Sequence, residues 1–322
     1  MESSSRPPRV VSLIASATEI VHALGASRLQ VARSHECDWP PEVAALPAIT
    51  RPKFQVAGSS GDIDKAVRAL VERGLAVYEV DAEALRALDP DVILTQDQCA
   101  VCAVSLADVE RAVCSWVGSA PRIISLRPHT IADVYADIGR VSAAIGRPDE
   151  GAALVASMQR RIADVSAAVA GRARPRVAFI EWIDPPMSGG HWMPELIAAA
   201  GGISSFGVTG EPSPWITWKE LAAADPDVIL VAPCGYDIAT TLREMKPLAR
   251  YAVWQELRAV RAGAVYVADG NATFNRPGPR LVESTQIVAE ILHPGVCDFG
   301  HRGGGYVAFV GEHTPKWKST HR

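Results

Sequence analysis

The stretch Pro148 to Gly171, PDEGAALVASMQRRIADVSAAVAG, constrains this chain more than any other. Its apolar residues Leu154, Val155, Met158, Ile162, Val165 and Val169 recur in steps of three and four. That spacing keeps them in one stripe on a helix. Pro148 suits a first helical turn, where its missing N–H costs nothing, and Asp149 and Glu150 suit the positive end of the helix dipole. Gly171 closes the element. About 23 residues at ~1.5 Å each span roughly 34 Å, the width of a small domain. The same phrase flanks this helix on both sides. It reads Leu85-Arg-Ala-Leu-Asp-Pro-Asp-Val-Ile-Leu94 before it and Leu221-Ala-Ala-Ala-Asp-Pro-Asp-Val-Ile-Leu230 after it. A long helix between similar halves predicts a strut joining two lobes. The alternative is one α/β domain with an ordinary crossover helix.

The expected organisation is an N-terminal α/β lobe over 1–147, a linking helix over 148–172, a C-terminal α/β lobe over 173–296 and a tail over 297–322. In the first half, strands expected at Arg9 to Ile14, Leu29 to Ala32, Ala48 to Thr50, Ala76 to Val80, Asp91 to Leu94 and Arg122 to Leu126 alternate with helices. In the second half, Arg176 to Glu181, Asp227 to Val231 and Ala264 to Ala268 do the same. The strands are dense in Val, Ile and Leu, as in parallel sheets covered on both faces. Ligands of such sheets bind outside the carboxyl ends of the strands. The tail shows no periodic pattern and is expected to be a docked or disordered extension.

The chain has 322 residues, ample for two domains, with 48% hydrophobic and 21% charged residues. A net charge of -4 and the lack of a basic tract argue against nucleic-acid binding. Val10 to Ala15 is too short for a secretory signal core, and no apolar run approaches a membrane span. The chain as written is therefore expected to be cytoplasmic, or periplasmic if its start is misassigned.

Of the eight tryptophans, Trp39, Trp182, Trp192, Trp215 and Trp218 fall in strand-end loops. An indole in a loop needs something apolar to cover. Either these residues plug gaps between the lobes, or they line a cleft for a large, flat, partly apolar ligand. His191 follows two glycines on the same set of loops. Asn275 and Arg276 open Asn-Arg-Pro-Gly-Pro before the closing helix, whose dipole favours anions or amide oxygens. The rival role there is a rigid helix start.

Six cysteines are present. Cys114 reads as a small buried hydrophobe. The octet Ser34-His-Glu-Cys-Asp-Trp-Pro-Pro41 and the segment Cys99-Ala-Val-Cys102 both leave strand carboxyl ends. His35, Cys37, Cys99, Cys102 and His191 form a candidate zinc or iron site, since thiolates and imidazoles bind such ions. A redox or ligand-contacting thiol pair, and reduced cysteines lining a wall, remain open alternatives. No nucleophile elbow, phosphate loop, dinucleotide fingerprint or HExxH motif is present.

The opening Arg-Val-Val-Ser-Leu-Ile-Ala-Ser-Ala-Thr-Glu-Ile-Val-His-Ala-Leu-Gly, the paired Asp-Pro-Asp-Val-Ile-Leu phrases and the long central helix resemble the helical-backbone metal-receptor class. These are the substrate-binding proteins of cobalamin and iron-siderophore ABC importers. The resemblance covers roughly residues 9 to 293 and is closest to cobalamin-binding members. It implies two parallel-sheet, Rossmann-like lobes joined by one long helix, the class III periplasmic-binding-protein architecture. It further implies that cobalamin, as ligand, is held without turnover between the lobes. The loop Ser12 to Thr18, with Ser16, and the residues Trp182 and Trp192 match ligand-contact positions. Glu110 and Glu244, each on the helix after a repeat strand, are the candidates for docking an importer permease. The rival expectation is a cytosolic metalloenzyme with a Cys/His site in the cleft.

Overall fold

The computed structural model describes residues 6–53, 58–72, 77–97, 109–110 and 121–309. The chain divides into two compact units. One comprises Met1–Gly58, Asp62–Arg160 and Arg276–Pro279, and the other Ser59–Gly61, Arg161–Asn275 and Arg280–Arg322.

In the first unit, β1 (Val10–Ser12), β2 (Gln30–Arg33), β5 (Val92–Gln96) and β6 (Arg122–Leu126) form a parallel sheet in the order β2-β1-β5-β6. Val10, Val11 and Ser12 are fully buried, as a central strand with two covered faces requires. From β1 the chain crosses to β2 on one side and later to β5 on the other. This switch of direction puts the topological switch point, the usual ligand position in such sheets, at the carboxyl ends of β1 and β5. The short strand expected at Ala48 to Thr50 lies slightly later. Ala48 makes a single parallel bridge to Arg33, while β3 (Thr50–Pro52) pairs antiparallel with β4 (Tyr78–Val80) in a separate two-stranded sheet.

In the second unit, β7 (Arg176–Trp182), β10 (Val228–Val231) and β11 (Val265–Ala268) run parallel. The two-residue strand β8 (Met187–Ser188) pairs antiparallel with β7, and β9 (Ile203–Ser204) pairs parallel with it. The tail is docked in part, one of the two states expected for it. Its segment β12 (Tyr306–Ala308) pairs antiparallel with β11 through Tyr266↔Ala308 and Ala268↔Tyr306. A three-residue strand is too short to carry a visible period, and its place is set by the free edge of β11.

The Asp-Pro-Asp phrases do one structural task twice. Asp89 and Asp225 adopt left-handed backbone at φ 44 and 41, a conformation Asp tolerates because its side chain bonds locally. Each ends a helix just before Pro. The next carboxylate then ties down the start of the first strand. The Arg9 backbone N–H donates to Asp91 at 2.7 Å, and the Arg176 N–H to Asp227 at 2.8 Å. The repeat strands β5 and β10 lie in different sheets.

The helix Pro148–Ala168 forms as its stripe requires. Met158, Val165 and Val169 are buried, Leu154, Val155 and Ile162 are half-buried, and most of the intervening residues are exposed. The division between the units falls inside it, after Arg160.

Candidate functional site

The loop after β2 is built by short-range hydrogen bonds. Thr50 Oγ1 accepts from the His35 N–H at 3.0 Å, meets His35 Nδ1 at 2.7 Å and donates to Ser34 Oγ at 3.0 Å. The His35 ring lies 5.2 Å from that of Tyr78, and burial holds its pKa below the usual histidine range. Glu36 accepts from the Tyr78 hydroxyl at 2.8 Å; burial nevertheless pushes its carboxyl above the usual range. Cys37 is buried, its sulfur accepting from Thr18 Oγ1 at 3.1 Å. Burial raises that thiol to about 11, which favours the protonated form over the thiolate that a metal needs. Trp39 is 45% exposed at the loop's outer end.

A charge cluster, buried except for Asp38, closes the inner side of this loop. Arg276 donates to Glu19 at 3.3 Å, to Asp38 at 2.5 Å and to the Glu36 carbonyl at 3.3 Å. The side chains of Arg276 and Glu19 are only 7% and 2% exposed. Both belong to the first unit, as does the neighbouring Gly278, whose missing Cβ would stand 3.5 Å from the Ser16 carbonyl. Ser16 lies in α1 (Ala15–Ala23), whose N-terminus has no side-chain cap. Its hydroxyl is buried without a partner among the described residues, and so is the Gln96 amide nitrogen at the end of β5.

In the second unit the switch point lies at the carboxyl ends of β7 and β10. Trp182 ends β7 and lies 5.4 Å from Tyr236, ring centre to ring centre, with planes inclined at 49°. Its indole N–H is buried and unpartnered among the described residues. His191 takes left-handed backbone at φ 51 and stacks on Trp192 at 5.8 Å. Trp192 is itself buried, donating from its indole to the Phe274 carbonyl at 3.1 Å. Trp218 begins a helix rather than lying in a loop and packs edge-on against Trp254. Trp215 is 52% exposed. The Asn275 amide donates to the carbonyls of Ala232 and Gly270, both at 3.0 Å, and so joins the ends of β10 and β11.

Thus Ser16, His35, Cys37, Trp39 and Arg276 belong to the first unit, and Trp182, His191, Trp192, Trp215, Trp218 and Asn275 to the second. Cys99, Cys102 and Cys114 lie outside the described residues. Among the described residues no group of three or more His, Cys, Asp or Glu is placed to hold a metal ion. The sheet order also bears on the Cys37 and Cys99 loops. They leave β2 and β5, which flank β1 instead of adjoining each other. Their strand ends therefore stand roughly 10 Å apart, twice the ordinary spacing. Of the docking glutamates, Glu110 is exposed, whereas Glu244 accepts the Ser60 backbone N–H at 2.9 Å.

Sequence reasoning missed Glu19 and Tyr236. Glu19 could have been noticed as a lone acid within the apolar run of α1. Tyr236 could have been noticed as the aromatic residue after the second repeat strand.

Comparison with known proteins gives one family and one fold. A family model described as periplasmic binding protein matches residues 10–272. A vitamin B12-binding protein of Vibrio cholerae serotype O1 is 22% identical over 288 residues, 88% of each chain. An uncharacterised ABC transporter substrate-binding lipoprotein of Bacillus subtilis is 22% identical over 297 residues, covering 89% of this chain and 81% of its own. The crystal structure of the periplasmic vitamin B12 binding protein of Vibrio cholerae superposes with a TM-score of 0.64 at 20% identity, covering 88% of this chain and 96% of the other. A periplasmic heme binding protein from Pseudomonas aeruginosa superposes at 0.67 and 19% identity, covering 90% and 94%. Among the described residues no helix is long and apolar enough to cross a membrane.

Proposed function

The chain belongs to the periplasmic binding protein family, and from that premise we propose that it is an ABC-importer-type substrate-binding protein whose ligand is a corrinoid, cobalamin or a close relative. The observation that carries the ligand class is the Trp182–Tyr236 pair at the switch point of β7 and β10. Two aromatic rings at a strand-end switch point suit a broad, flat, partly apolar molecule. Exposed Trp39 and Trp215 offer further indole surface at loop ends. The charge state of Arg276 supports a corrinoid over a polyanionic iron chelate. Its guanidinium is already neutralised by Glu19 and Asp38. Similar proteins include ones named for binding vitamin B12 and heme.

Export to the cell surface or periplasm fits this role better than the cytoplasmic placement expected from the opening residues. The named relatives are periplasmic proteins or a lipoprotein. Of the two glutamates proposed to meet a permease, Glu110 has the exposure that docking needs.

The test is titration with cyanocobalamin, followed by tryptophan quenching and the corrinoid absorption spectrum, with hemin in parallel. Saturable binding of cyanocobalamin is expected. Trp182→Ala should weaken it about 30-fold, the loss of a hot-spot aromatic worth ~2 kcal/mol. Binding of hemin alone would replace the corrinoid in this reading, and binding of neither would end it.

A further inference from the structure

We infer that Arg276 is a positioning residue, which holds the ligand-facing loop Ser34–Pro41 in place instead of contacting the ligand. The inference rests on the proposed corrinoid function for its binding consequence, and on geometry alone for the loop. Arg276 grips the loop at two points on either side of Cys37. It donates to the Glu36 carbonyl at 3.3 Å and to the Asp38 carboxylate at 2.5 Å. The same guanidinium is anchored to the unit's core by Glu19 of α1 at 3.3 Å. Glu19 is 3% and Arg276 6% exposed. A planar fork with several fixed donors can hold three acceptors in a set geometry, which an ammonium on a flexible stem cannot.

The grip explains the state of Cys37. The thiol sits one residue from each gripped position, is 1% exposed, and is oriented inward onto Thr18 Oγ1 at 3.1 Å. With residues 36 and 38 fixed, Cys37 faces inward and Trp39 stands outward at the loop's end. Holding the loop in one conformation before binding spares the ligand the ordering cost. A direct role toward an anionic ligand group would instead require Arg276 to abandon two carboxylates, one of them buried.

The test uses Cys37 as a reporter in the full-length protein. Thiol labelling by iodoacetamide is followed by mass spectrometry. Cys297, buried in the second unit, serves as internal control. In Arg276→Met and in Asp38→Ala, Cys37 labelling should quicken at least tenfold while Cys297 stays unchanged. Arg276→Lys should fall between. Cyanocobalamin affinity of Arg276→Met should fall about tenfold, and saturating cyanocobalamin should restore Cys37 protection. Should Arg276→Met fail to fold, Arg276→Met with Glu19→Gln removes the stranded buried charge and takes its place. Unchanged Cys37 labelling with lost affinity would overturn the inference and make Arg276 a ligand contact. A parallel rise at Cys37 and Cys297 would also overturn it, as general destabilisation. Selective Cys37 exposure in a protein whose wild type binds no cyanocobalamin would sustain the positioning role and end the corrinoid reading.

Discussion

At the residue scale, burial governs the chemistry of the loop and of α1. The same desolvation that keeps Cys37 a thiol keeps His22 neutral. His22 Nε2 is buried without a partner among the described residues, and burial lowers its pKa from 6.5, against the opposing pull of Glu42. The unfolded chain therefore binds this proton first as pH falls. The stabilising contribution is present above 6.5 and is lost as pH falls below it toward the lowered folded value. Urea midpoints of the wild type should fall relative to His22→Gln between pH 7.5 and pH 5.5. Equal pH slopes for the two proteins would refute this account. Glu36 works in the opposite sense. Its raised pKa favours the protonated form in the folded state, so its ionisation opposes stability as pH rises.

At the element scale, the paired Asp-Pro-Asp phrases are strand-start clamps. Asp91 holds the Arg9 N–H and pairs with Arg6 at 3.2 Å, while Asp227 holds the Arg176 N–H and pairs with Arg258 at 2.9 Å. In each unit the carboxylate also follows a left-handed Asp and a Pro. Asp91→Ala should cost about 1–2 kcal/mol, the loss of a charge-assisted hydrogen bond to a partly buried N–H, and Asp227→Ala less, because its bond to the Arg176 N–H is exposed. Their Asn variants should cost less, because an amide oxygen still accepts. Chemical denaturation of the four variants measures this, and a larger loss at Asp227 than at Asp91 would refute it. The tail belongs to this scale as well. Its strand β12 covers the edge of β11, which would otherwise offer unpaired backbone groups.

At the scale of the whole molecule, the proposed binding role without turnover has a thermodynamic signature. A ligand that is held and not turned over stabilises the folded state by mass action, about 2.7 kcal/mol at a hundredfold excess over Kd. On the proposed corrinoid reading, cyanocobalamin should raise the melting temperature in proportion to the logarithm of its concentration. Elemental analysis of the purified protein should return cobalt only after loading. Stoichiometric zinc or iron in the unloaded protein would favour the metalloenzyme alternative, with Cys99 and Cys102 as the first residues to replace.

Much of the fold was legible in the sequence because its signals are local. The stripe of Met158, Val165 and Val169 is a property of one helix, and the buried runs Val10–Ser12 and Val228–Val231 are properties of single strands. The repeated Asp-Pro-Asp phrase marked equivalent strands in two sheets. The opening motif and this repeat sufficed to bring out the family. The pairing of side chains over long stretches of chain was not legible. Arg276 meets Asp38 and Glu19 across 238 and 257 residues. No periodicity encodes such a meeting. It follows from the path of the loop Arg276–Pro279 onto the first unit. The inward turn of Cys37, the use of Asn275 to join two strand ends, and the packing of Trp192 and Trp218 were likewise decided by neighbours brought from elsewhere in the chain. Residue type and spacing determine which elements can form, because backbone geometry repeats over a few residues. Which polar side chain is free for a ligand depends on the partners that burial forces upon it, and those exist only once the tertiary structure has formed.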